Sequence, residues 1–100
     1  MIYSIRYKPR AKKDIVRVAD YIEYELFNPT AAKRFFEGLY AKIAQLKFNA
    51  HVSAISIYKD ILKYDDNARR VLYKGFAIIY SIHGKMVVVH RVIHGSLIKE

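Results

Sequence analysis

The sequence predicts an α+β domain in which an N-terminal strand, an antiparallel helix hairpin and a three-stranded antiparallel β-meander build one sheet. Three observations carry this reading. Residues 2–7 alternate apolar and polar, the period of a half-buried strand. Residues 10–47 hold two apolar stripes at steps of three and four, interrupted at Asn28-Pro29. Residues 69–93 hold β-rich runs punctuated by Gly75 and Gly84. One hundred residues support one core and not two, so residues 1–100 are read as a single domain.

Each element has a local reason. In the first strand Tyr3, Ile5 and Tyr7 face one way, and Ile2, Ser4 and Arg6 the other. Pro9 ends that strand and suits the first turn of a helix, where its missing N–H is not needed. Ala11, Ile15, Val18, Ala19, Ile22 and Leu26 then form the apolar face of a helix over about 10–26. Asn28 is a strong N-cap and Pro29 fits position N1, so a second helix starts there and runs to about residue 47. It buries Ala32, Phe35, Phe36, Leu39, Ile43 and Leu46. A connection this short makes the two helices antiparallel neighbours.

The stretch 48–67 is less patterned: a short extended piece around Val52 to Tyr58, a helical turn at Lys59 to Tyr64, and a turn at 63–67. Strands follow at 69–74, 76–82 and 85–93, the last two joined by a tight turn at His83-Gly84. The apolar runs at 76–80 and 86–89 mark central strands covered by helices.

Composition narrows the function classes. Eighteen Lys and Arg against nine Asp and Glu leave a formal charge of +9, spread over the chain and not gathered in a tail. Such a surface favours acidic partners: nucleic acid, ribosome, an anionic membrane or an acidic protein. With no cysteine, disulfides and thiolate metal sites are excluded. The start resembles neither a signal peptide nor a membrane span, so the expected location is the cytoplasm, with no membrane partner. His90 and His94, read on one side of a regular strand, stand roughly 13 Å apart and cannot share an ion. No metal and no cofactor is expected.

Tyr7-Lys-Pro-Arg-Ala-Lys-Lys-Asp14, the helix break at Leu26-Phe27-Asn28-Pro29 with Ala31 to Phe35, and the close from Arg70 through Tyr73 and Phe76 to Gly95 together resemble the RelE/ParE toxin superfamily. The Asn28-Pro29 break and the Arg91-to-Gly95 ending place the likeness nearer the ParE-like branch. Asn49-Ala50-His51 departs from it, standing where many members have a proline after the second helix. The resemblance implies a β-α-α-β-β-β fold and a growth-inhibiting toxin neutralised by a cognate antitoxin through an acidic or amphipathic segment, hence a hetero-oligomer. It implies two targets: ParE-like members inhibit DNA gyrase, and RelE-like members cut mRNA on the ribosome.

For RNA cleavage by 2′-OH attack, the residues to test first are Arg70, Arg91 and His94, as cations and proton-transfer group. Tyr73 and Tyr80 could stack a base. Arg91 has a competing reading as a structural ion pair with Asp14 or Asp20, and His94 as a partner of its own turn. The antitoxin is expected on a helix groove and sheet edge, with Phe36, Tyr40 and Ile43 as apolar anchors and Lys33, Arg34 and Lys47 as attracting charges. A binding toxin, an endonuclease and a non-toxic antitoxin-binding module all fit the sequence.

Overall fold

The computed structural model describes residues 2–25 and 27–100. β1 (Ser4–Tyr7) leads into α1 (Pro9–Asp20), which widens into a π-turn at Tyr21–Glu25. Leu26, expected at the end of this apolar face, lies outside the described residues. α2 (Pro29–Ala44) and the single turns α3 (Leu46–Asn49) and α4 (Lys59–Leu62) follow. The meander β2 (Arg69–Tyr73), β3 (Phe76–His83) and β4 (Met86–His94) and a 3-10 turn at Gly95–Leu97 close the chain. The α+β architecture is as the sequence predicts.

Local chemistry explains the boundaries. Pro9 occupies the first turn of α1. The Asn28 side chain accepts a hydrogen bond from the Ala31 N–H at 3.0 Å and so satisfies one orphan donor of α2. Lys74 and Gly75 both have positive φ, as a two-residue hairpin between twisted strands requires. The β3–β4 turn is centred on Gly84-Lys85, since His83 and Met86 are paired, one residue later than the sequence suggests. In 48–67 the expected helical turn at 59–62 is present, whereas Val52 to Tyr58 forms no strand. Its backbone is tied by the Ser56 N–H to the Ala68 carbonyl at 2.9 Å.

The sheet order is β1-β4-β3-β2, with β1 parallel to β4 and the rest antiparallel. β1 pairs only with residues 86–89, so the edge of β4 beyond Val89 is left to α1. At that point β4 carries a bulge: Ile79 opposes Arg91 and Tyr80 opposes Val89, leaving His90 as the extra residue.

One sheet face packs against the helix hairpin through Ala11, Ile15, Phe35, Leu39, Ile43, Ile78, Val89 and Val92. The opposite face is covered by α4 and the C-terminal segment, where Ile61, Ala68, Ala77, Ile79 and Ile98 are buried together. Both faces of β3 and β4 are therefore dry, which explains their near-continuous apolar sequence. Among the described residues, no helix is long and apolar enough to cross a membrane.

Candidate functional site

The bulge at His90 governs where the chemistry-bearing side chains go. Cross-strand partners share a face. Phe76 and its partner His94 lie on the helix-hairpin face, while His90 reaches Ser81 on the other. His90 and His94 are thus on opposite faces, not on one side as a regular strand would place them. Among the described residues no cluster of His, Cys, Asp and Glu suits a metal ion.

Arg91, next to the bulge, turns out over the free edge of β4 toward α1. Its Nε donates to Asp14 at 2.7 Å and its Nη2 donates to the second carboxylate oxygen at 3.0 Å. Asp14 also accepts from the Val92 N–H at 3.0 Å, satisfying the edge donor that β1 does not reach. Asp14 is 5% exposed, so this is a buried, bidentate ion pair that ties α1 to the sheet. The hydrogen bond with Asp14 is the main cause raising the Arg91 pKa above the usual guanidinium value. Arg91 Nη1 retains a long contact of 3.4 Å to the Tyr64 hydroxyl.

His94 is exposed. Its Nδ1 lies 2.7 Å from Ser96 Oγ and accepts from the Ser96 N–H at 3.2 Å, and its ring meets Phe76 edge-on. Arg91 and His94 line one cavity of about 210 Å³ with Asp14, Arg17 and Phe76. Arg70 is not part of it. It sits on β2, two strands from Arg91, over the Tyr58 ring and in an ion pair with Glu100. Tyr80 is fully buried, its hydroxyl donating to the Ala50 carbonyl at 2.7 Å, and burial raises its pKa. It stacks no external base. The Tyr73 hydroxyl donates to the Phe35 carbonyl at 3.3 Å.

On the helix hairpin, Tyr40 is 48% exposed, stacks on Phe36 at 6.2 Å and meets Tyr7 edge-on. Burial and the neighbouring Tyr40 phenol raise the pKa of Tyr7. Ile43, expected as a third anchor, is instead fully buried. It belongs with Ala32, Phe35 and Leu39 on the inward stripe of α2, and so it is core. Lys33 shares the Phe36–Tyr40 side and lies 4.0 Å from Glu37; Arg34 and Lys47 are exposed.

The groove's other wall comes from α1, which the sequence pattern does not announce. A shallow cavity of about 250 Å³ is lined by Tyr7, Lys12, Ile15, Val16 and Tyr40, and it adjoins a larger one along Lys12, Lys13, Val16, Arg17 and Asp20. Val16, 57% exposed, was the available signal: it is an apolar residue off the buried stripe of α1.

A small basic α+β domain with an open helix–helix groove presents a surface electrostatically complementary to acidic segments. The chain matches the family model described as the ParE toxin of the type II toxin-antitoxin system, parDE, over residues 5–98, and it belongs to that family. It is therefore the toxin half of a type II toxin–antitoxin pair. Among solved structures it is similar to a chain of the chromosomal ParDE toxin–antitoxin system from P. aeruginosa. That match has a TM-score of 0.74 and 16% identity, and covers 93% of this chain and 96% of that one. It is also similar to a chain of the toxin–antitoxin complex RelBE2 from Mycobacterium tuberculosis, with a TM-score of 0.59 and 14% identity, covering 94% and 99%. Comparison with curated protein sequences gives no match.

Proposed function

We propose that this toxin arrests growth by binding DNA gyrase, not by cutting RNA. The observation that carries the reading is the commitment of Arg91. Cleavage by 2′-OH attack needs a base, an acid and free positive charge converging on one phosphate. Here Arg91 spends Nε and Nη2 on Asp14. His94 is held by Ser96, and Arg70 lies two strands away with Glu100. A ribosome-dependent mRNA endonuclease is the second reading, favoured by the shared cavity of Arg91 and His94.

In this reading the antitoxin lays an amphipathic, acidic segment into the α1–α2 groove. Phe36, Tyr40 and Val16 take its apolar side chains, and Lys12, Lys33, Arg34 and Lys47 draw its carboxylates. The complex is then a hetero-oligomer in the cytoplasm.

The test is induced expression without antitoxin, with supercoiling and translation followed in parallel. The expected result is growth arrest with loss of plasmid supercoiling and DNA-damage signalling while translation initially continues. An early translation block with A-site mRNA cleavage would overturn the proposal in favour of the endonuclease. No growth arrest would overturn it in favour of a module that only binds its antitoxin.

A further inference from the structure

We infer that the free edge of β4 carries a binding site for a phosphodiester-linked nucleotide of a single strand, built by Lys8, Arg10, Tyr64, His90 and Arg91. The inference does not depend on which target the toxin has. These residues, with Pro9, line a cavity of about 270 Å³ between the start of α1, the segment after α4 and the bulge of β4. That volume is just below the ~300 Å³ at which drug-sized pockets begin, so one nucleotide is the fitting unit.

The charge of the site is one-sided. Lys8 and Arg10 line it beside Arg91, whose own charge is matched by Asp14, and among the described residues no carboxylate does. Asp14 and Asp65, the carboxylates acting on Arg91 and His90, are already engaged. Asp14 holds Arg91 and the Val92 N–H, and Asp65 accepts from the Asn67 N–H at 2.9 Å and pairs with His83 at 3.1 Å. Asp14 also orients the site: with Nε and Nη2 fixed, Arg91 keeps Nη1 on the Tyr64 side. Lys8 and Arg10 are exposed, as phosphate-binding side chains that lose little conformational freedom to packing would be.

Flat groups make a nucleotide a better occupant than a carboxylate side chain. The half-buried Tyr64 ring, 6.3 Å from the buried His90 ring and 33° from parallel to it, gives the cavity an aromatic wall against which a base can pack. Lys63, the one cation over the Tyr64 ring among the described residues, is on an exposed and displaceable side chain. Burial lowers the His90 pKa, so its imidazole is neutral near neutral pH and adds no fixed charge to the wall. Arg10 and Asp14 fall on one face of α1, while Lys12 and Val16 lie on the next, and the site shares no lining residue with the cavities of the α1–α2 groove. The site is therefore separate from the α1–α2 groove, and a protein segment in that groove leaves it open.

The experiment is fluorescence anisotropy of a labelled single-stranded oligoribonucleotide titrated with the purified chain at several salt concentrations. Lys8→Ala with Arg10→Ala is expected to weaken binding about tenfold or more at low salt and to reduce the salt slope by about 0.7 for each phosphate no longer neutralised. Tyr64→Ala is expected to weaken it about fivefold or more, with Tyr64→Phe retaining affinity. Lys42→Ala with Lys85→Ala removes the same charge elsewhere and is expected to stay within about twofold. Lys8 and Arg10 are exposed, and matching thermal melts verify that their variant is folded. Three results would overturn the inference: no binding by the unmodified chain, equal weakening by the two charge-removing double variants, or displacement of the strand by oligoglutamate as readily as by unlabelled strand. The last would assign the site to an acidic protein.

Discussion

Asp14→Ala is expected to be among the most damaging single substitutions in this chain. The change removes three hydrogen bonds at once, from Arg91 Nε at 2.7 Å, Arg91 Nη2 at 3.0 Å and the Val92 N–H at 3.0 Å. It leaves a guanidinium that is 14% exposed without its counter-ion. Breaking a buried pair from one side costs about 3–5 kcal/mol, most of it the penalty of the stranded charge. Arg91 retains some water and the Tyr64 hydroxyl, which sets the expected loss at about 3 kcal/mol. For a domain this size that lowers Tm by roughly 12–24 °C, at ~4–8 °C per kcal/mol. Asp14→Leu combined with Arg91→Met removes both charges and restores apolar contact, so the double variant should recover to within about 1–2 kcal/mol of the original. Urea unfolding followed by circular dichroism measures both, with the slope m checked for constancy. A loss below about 1 kcal/mol for Asp14→Ala, or a double variant no better than the single, would show that the pair does not tie α1 to the sheet.

Three further outcomes are expected. Asn28→Ala removes the acceptor of the Ala31 N–H and should cost about 1 kcal/mol, read as a Tm shift of about 4–8 °C. Gly38→Ala places a methyl on the Tyr73 hydroxyl and should destabilise by about 1–3 kcal/mol. Adding Tyr73→Leu should recover most of this, because alanine is the better helix former by ~1 kcal/mol; no recovery would mean that the clash is not with Tyr73. Burial lowers the folded-state pKa of His90 below its ordinary value, so between those two values the unfolded chain binds the extra proton. Stability should therefore fall as pH drops below about 6.5 and level off below the folded-state value. His90→Gln should flatten that part of a stability profile taken between about pH 5 and 8, and an unchanged slope would assign it to other groups.

Local signals were legible in the sequence, and non-local ones were not. The cap at Asn28, the proline at position 9, the alternation of Tyr3, Ile5 and Tyr7 and the stripe of α2 all act within a few residues, and each element formed where they point. The parallel pairing of β1 with β4 joins residues more than eighty apart, and no local pattern encodes it. The bulge at His90 was hidden for a related reason. Val87 to Val92 reads as a regular run, and only the pairing with Ile79 and Tyr80 reveals the extra residue. That bulge decided the site: it separated His90 from His94 and sent Arg91 to Asp14, a pairing the sequence offered as one of two. Ile43 is core and not an anchor, because a helix stripe shows which residues are apolar and not which edge of the stripe meets the sheet. Val16 carried the opposite lesson, an apolar residue off the stripe whose exposure marks a groove.

Whether this toxin engages gyrase, as proposed, or cuts RNA is decided by one paired assay. The most direct measurement titrates the purified chain into a DNA supercoiling reaction with purified gyrase, beside a translating ribosome reaction with labelled mRNA. Inhibited supercoiling with intact mRNA is the expected result. Uninhibited gyrase together with ribosome-dependent cleavage of the mRNA would contradict it.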